Sequence, residues 1–82
     1  MTIKQAFALV SIKYPKLVAI RCVEFDSCFV FQMVPPKYKN TPDIVYDCLN
    51  SVDKKTGEVR TFQPFHIPVE EYRNGKEIKN FK

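Results

Sequence analysis

Glycine and histidine are scarce in this 82-residue chain, and both shortages restrict the chemistry available to it. With two glycines, Gly57 and Gly75, the chain can form neither a glycine-rich phosphate-binding loop nor a G-x-S-x-G nucleophile elbow. The single histidine, His66, lies between Phe65 and Ile67, which favours a structural or exposed role over a pH switch.

Long hydrophobic runs are also missing. The longest apolar stretch near the start, Ala6 to Ile12, is interrupted by Ser11, whereas a membrane-spanning helix needs about 20 residues. No small-residue cleavage site follows this stretch, which argues against a signal peptide. We therefore expect a cytoplasmic protein that has no membrane partner.

The cysteines show no C-x-x-C pair, which argues against a disulfide framework. Cys22, Cys28 and Cys48 with His66 match the ligand count of a structural zinc site, but they lack the close pairing of zinc ligands. A catalytic thiol at Cys48 would need a cationic neighbour to lower its pKa, and Cys48 instead follows Asp47. We expect separate core cysteines, no metal, no cofactor and no enzymatic activity.

Three carboxylates lie at even sequence offsets, at Asp43, Asp47 and Asp53, and can share one face of a strand. Paired carboxylates can perform acid–base work or bind a hard cation. They are more typical of the solvent side of an edge strand, so we assign them no catalytic role.

Basic residues exceed acidic ones by 13 to 9, which gives a net charge of +4. This charge is spread along the chain, and the densest group is in the tail, at Arg73, Lys76, Lys79 and Lys82. Nucleic-acid-binding proteins usually gather their positive charge on one face. The distribution therefore argues against nucleic acid as the main partner.

Apolar residues make up 45% of the chain, with seven phenylalanines and four tyrosines, as in globular proteins. A helix is predicted over residues 3–13, because Thr2 and Gln5 form a capping box and Pro15 ends it. Residues 1–82 read as one domain, since no linker or repeat divides them.

Two hairpins are predicted after the helix. The first joins strands at 17–25 and 28–34 through Asp26 and Ser27, and the second joins strands at 44–52 and 58–63. Gly57 supplies the positive φ that closes the second turn. A loop covers 35–42, and a short helix follows Pro68. The fold class is therefore α+β, with the N-terminal helix packed on an antiparallel sheet of about four strands.

The first hairpin predicts an apolar patch on the sheet face away from the helix. A two-residue turn pairs Val23 with Val30, and places five apolar residues together, namely Ala19, Val23, Phe25, Val30 and Val34. We expect this patch either to bind a protein partner or a second copy, or to lie under the C-terminal segment. Ile78 and Phe81 are the residues expected to anchor the tail there.

The stretch from Val52 to Val59, with Thr61-Phe62-Gln63-Pro64 after it, resembles a hairpin of PepSY-like domains. The chain more fully resembles small proteins encoded by phages and prophages of low-GC bacteria. The shared features are the Tyr14-Pro15 helix end, Phe29-Val30-Phe31, the T-G-E turn and Phe62-x-Pro64. This resemblance implies an accessory protein without enzymatic activity, in the host cytoplasm or on a phage particle.

We therefore predict a non-enzymatic protein-interaction module. Two alternatives stay open: an inhibitor or immunity-type protein that occludes an enzyme, and a nucleic-acid-binding accessory protein. The second would act through the basic tail and would be salt-sensitive.

Overall fold

The computed structural model describes residues 1–38 and 49–81, which form an α+β fold. In chain order the elements are α1 (Ile3–Lys13), β1 (Val18–Glu24), β2 (Cys28–Val34), β3 (Leu49–Asp53), β4 (Val59–Thr61), α2 (Val69–Arg73) and β5 (Lys76–Ile78). Short 3-10 helices lie at Pro36–Tyr38 and Pro64–His66. The predicted fold class is confirmed.

The described strands form one antiparallel sheet in the order β4-β3-β2-β1-β5. The sequence predicts about four strands, and the described part of the chain holds five. The additional strand, β5, pairs with β1 by placing Ile78 opposite Cys22. It is three residues long, which is too short to give a clear alternation of apolar and polar residues.

Helix α1 begins and ends where its local sequence predicts. The Thr2 side chain accepts a hydrogen bond from the Gln5 amide, and the Thr2 amide donates to Gln5 Oε1 at 2.8 Å. Ala6 and Val10 on its apolar face are fully buried. This face packs on the sheet with Phe29, Phe31, Met33 and Val52 to form the main core.

The turn between β3 and β4 is also predicted correctly. Asp53 Oδ1 accepts hydrogen bonds from the amides of Lys55 and Thr56, and Gly57 has a φ of 74°. These two bonds hold the pKa of the Asp53 carboxyl below its ordinary value. Asp53 is therefore a turn residue.

The predicted register of the first hairpin holds at Val23, which lies opposite Val30, and fails beyond Arg21. Ile20 forms a bulge, so that Ala19 lies opposite Met33 rather than Val34. An extra residue reverses the side-chain alternation of the strand. The assignment of Ala19 to the apolar patch is therefore wrong, and Ala19 belongs to the main core.

The predicted position of the tail is also wrong. Phe81 lies in the main core, with its ring centroid 5.8 Å from that of Phe7 and 5.7 Å from that of Phe31. Ile78 packs against the same cluster. The pairing of β5 with β1 directs the chain end towards the helix side of the sheet.

Several predictions fall on residues outside the described ranges. They are the third strand before Leu49, the loop from residue 39 to Pro42, and the roles considered for Asp43, Asp47 and Cys48.

Candidate functional site: the sheet face opposite the helix

The sheet face opposite α1, here called the second face, carries Val23, Phe25 and Val30. Phe25 and Val30 are only 6% and 5% exposed, and Val23 is half-buried. Val34, opposite Val18 at the far end of the hairpin, is also buried. These residues do not form an open patch, because another part of the same chain covers most of them.

The second face is covered by the segment after β4, residues 62–75, here called the covering segment. Phe62 belongs to the same buried cluster as Phe25 and Val30, and Ile67 packs against it. The Phe25 ring lies nearly parallel to two others, with centroids 5.9 Å from Phe62 and 5.6 Å from Tyr72. The C-terminal part of the chain thus covers the second face. The covering residues are α2 and those that lead into it, whereas the sequence predicts that the tail anchored by Ile78 and Phe81 lies there.

Hydrogen bonds also hold α2 over the second face. The Glu71 carboxylate accepts hydrogen bonds from the Ser27 amide, at 3.0 Å, and from the Ser27 hydroxyl. Glu71 precedes Tyr72, so the same helical turn supplies both the polar anchor and the stacked ring. These hydrogen bonds and the stacked Tyr72 ring together fix the position of α2 on the second face.

A cavity lies between the second face and the segment that covers it. Its volume is about 190 Å³, and its lining is mostly apolar, from Val23, Phe25, Val30, Leu49, Phe62 and Tyr72, with Arg21 and Gln32 as the polar members. We call it the Arg21 cavity. The Arg21 guanidinium donates to Glu77 Oε1 at 2.9 Å, and both side chains are about half exposed.

Beside this cavity the covering segment itself presents an exposed apolar surface. Phe65 is 80% exposed, Val69 65% and Tyr72 47%. A shallow depression of about 400 Å³ is lined by Pro64, Phe65, Ile67, Pro68, Val69 and Tyr72, which we call the Phe65 surface. Tyr72 lines both features, so the Phe65 surface adjoins the Arg21 cavity.

The described cysteines lie on opposite sides of the sheet, Cys22 in the main core and Cys28 in the second-face cluster. Burial raises the pKa of Cys22 to about 12 and also raises the pKa of Cys28, so both thiols are held neutral. Within residues 1–38 and 49–81, no group of three or more His, Cys, Asp or Glu side chains could hold a metal ion.

His66 and Cys28 both line a small polar recess of about 60 Å³. Its Nδ1 accepts a hydrogen bond from the Gln63 amide at 3.1 Å. A neutral imidazole with an accepting Nδ1 carries its proton on Nε2. The ring also contacts Phe65, with centroids 4.8 Å apart, so His66 helps to orient the exposed phenylalanine.

The Phe65 surface is missing from the sequence-based candidates, although a signal for it exists. Apart from His66, the run Pro64-Phe65-His66-Ile67-Pro68-Val69 is apolar, and it lies outside the two hairpins. In the structure Ile67 packs against the second-face cluster, whereas Phe65 and Val69 are exposed. Exposed apolar side chains grouped in this way are typical of a binding surface.

Comparisons with protein-family models, with curated proteins and with solved structures find no match to this chain. Within the described ranges, no helix combines the length and apolar character needed to cross a membrane.

Proposed function

We propose that this protein is a non-enzymatic interaction module that binds another protein through the Phe65 surface. The observation that supports this most directly is the exposure of three large apolar side chains, Phe65, Val69 and Tyr72, on one short segment. Contiguous exposed apolar surface on a small domain is typical of a protein-binding site.

The local geometry suits tight binding. Pro64 and Pro68 restrict the backbone on either side of Phe65, and the His66 ring packs edge-on against the phenylalanine. A side chain that is ordered before binding loses less conformational entropy when a partner covers it. Aromatic side chains of this kind dominate the binding energy of many interfaces.

The sheet edges are weaker candidates for partner binding. Among residues 1–38 and 49–81, the strands at the two edges of the sheet are β4 and β5, and each is three residues long. A short edge offers few backbone groups to an added strand, and natural proteins use short edges to prevent such pairing. Binding through side chains of the covering segment is therefore favoured over strand addition.

The phage or prophage origin, the accessory role and the location in the host cytoplasm or on a phage particle belong to the same proposal. They rest on the sequence resemblance described above.

Two alternative functions remain. An inhibitor or immunity-type protein would use the Phe65 surface to occlude an enzyme, and a neighbouring gene that is toxic alone would indicate that role. A nucleic-acid-binding role would instead depend on Arg73, Lys76, Lys79 and Lys82 and would weaken with salt.

The test is affinity purification of tagged protein from its own host, followed by native mass spectrometry. Three forms are compared: the unchanged chain, the double variant Phe65→Ser with Val69→Ser, and the control Ile12→Ser. Ile12 is 77% exposed and lies on α1, on the other side of the sheet. Because all three side chains are exposed, each variant should keep its fold.

The proposal predicts a stoichiometric complex, with another protein or a second copy, for the unchanged chain and for Ile12→Ser. The double variant should weaken it by about 30-fold or more, as removal of a binding hot spot does. A complex that survives in the double variant, or an unchanged chain that carries no partner, contradicts the proposal.

A further inference from the structure

We infer that the Arg21 cavity is a recognition pocket for one aromatic side chain with an acidic residue next to it, presented by a segment of the bound protein. This inference rests on the proposed function and names the partner chemistry that the neighbouring cavity selects. It depends on the size, the walls and the charge of the cavity.

The size of the cavity suits a single ring. The cavity measures about 190 Å³, whereas pockets for drug-sized ligands start at about 300 Å³. An apolar cavity of about 150 Å³ is large enough to hold benzene. One phenyl or phenol side chain therefore fits within this volume.

The walls favour an aromatic ring over an aliphatic group. The rings of Phe25, Phe62 and Tyr72 all line the cavity. The Phe25 plane lies within 16° of Phe62 and within 19° of Tyr72. Nearly parallel faces allow a further ring to stack on this wall or to approach it edge-on, which adds to the energy of simple apolar burial.

The half-exposed Arg21 side chain in the lining selects for a carboxylate. Arg21 and Gln32 lie opposite each other on β1 and β2, at the end of the apolar wall. The guanidinium has five N–H donors, and its ion pair with Glu77 uses Nη2. Because both partners are about half exposed, this pair is weak, and an incoming carboxylate can share or replace it at small cost.

The role of Glu77 leads to a test that a plain apolar cavity would not satisfy. Glu77 competes with the incoming carboxylate for Arg21, so Glu77→Gln should strengthen binding. Arg21→Gln should weaken it. A cavity that binds rings by burial alone would respond to neither change, since neither removes an apolar wall.

The probe is phenylalanyl-glutamate blocked at both ends, titrated into the full chain and followed by amide chemical shifts. Phenylalanyl-lysine and leucyl-glutamate, blocked in the same way, test the charge and the ring separately. We expect shifts at Val23, Val30 and Leu49, and binding about fivefold weaker for each control peptide. Glu77→Gln should raise the affinity for the probe about threefold, and Arg21→Gln should lower it about fivefold.

Equal binding of the three peptides, or no response to either substitution, overturns the inference. Tighter binding of free 3-phenylpropionate than of the blocked dipeptide also overturns it, because the site would then serve a small molecule.

The Phe65→Ser and Val69→Ser form separates this inference from the proposed function. If that form loses the partner while Arg21→Gln retains it fully, the Phe65 surface stands and the pocket assignment fails. If the dipeptide binds as expected and no partner exists, the proposed function fails instead.

Discussion

Gly75 is the residue at which the backbone comes closest to the second face. A Cβ at this position would overlap Phe25 Cε1 and would lie 3.0 Å from Val23 Cγ1. Phe25 cannot move aside easily, because its ring is stacked beside Phe62 and Tyr72. The absence of a side chain at Gly75 therefore allows the backbone of the covering segment to pack closely against Phe25 and Val23.

We expect Gly75→Ala to lower the free energy of unfolding by about 1–3 kcal/mol, as overpacking of a core does. Urea denaturation measures the effect. The matched variant combines Gly75→Ala with Phe25→Leu, which should recover part of the loss that each change causes separately. Full stability of Gly75→Ala alone would show that the covering segment is not packed as described.

Cys22 makes stability depend on pH in alkaline solution. Burial raises the pKa of its thiol to about 12, and the Glu24 carboxylate adds to the shift, whereas the ordinary value is 9.0. Between these values the folded chain keeps a proton that the unfolded chain has lost. The stabilising contribution is therefore complete below pH 9 and is lost as the pH rises towards 12.

The measurement is urea denaturation of the unchanged chain and of Cys22→Ala between pH 7.5 and 10.5. The difference in free energy of unfolding between the two should be constant below pH 9. Above pH 9 it should shift against the unchanged chain by up to about 1.4 kcal/mol per pH unit. A difference that does not vary with pH would contradict the burial of this thiol.

Residues with local partners could be predicted from the sequence. Thr2 with Gln5, and Asp53 with Gly57, form contacts within a few positions along the chain, so their residue types indicate their geometry. Ala19 could not be placed, because the bulge at Ile20 depends on how the whole hairpin packs. The destination of Phe81 depends on a contact with Phe7 that spans most of the chain.

At the scale of elements, β5 and Phe81 complete the main core. Phe81 is 4% exposed and contacts both α1 and β2 through Phe7 and Phe31. The short strand β5 holds it there by pairing with β1. Residues 76–81 therefore contribute to the stability of the main core, whereas the sequence alone predicts that Ile78 and Phe81 anchor the tail on the other face.

Two phenylalanine substitutions separate the core from the proposed binding surface. Phe81→Ala should lower the free energy of unfolding by about 3–5 kcal/mol, which is a large part of what a small domain has. Phe65→Ala removes the same atoms from an 80% exposed position and should change stability by at most about 0.5 kcal/mol. Thermal and urea denaturation of both variants check this, and similar losses in the two would contradict the assignment.

At the scale of the molecule, the chain divides its apolar residues between two layers. Helix α1 covers one face of the sheet, and the segment from Phe62 to Gly75 covers the other. The second layer is thin, so its outer side chains, Phe65 and Val69 among them, lie in solvent. The sequence correctly predicts that this sheet face is too apolar to be exposed to water. It places the candidate binding residues on the sheet itself, whereas the exposed apolar side chains lie on the segment that covers the sheet.

The central claim is that this covering segment binds another protein, and site-specific photo-crosslinking in the cells that produce the protein tests it most directly. Benzoylphenylalanine replaces Phe65 in one form and Ile12 in another, since both positions are about equally exposed, at 80% and 77%. We predict that position 65 crosslinks to one protein species, a second copy included, and that position 12 does not. Equal crosslinking from both positions, or none from position 65, would contradict the account.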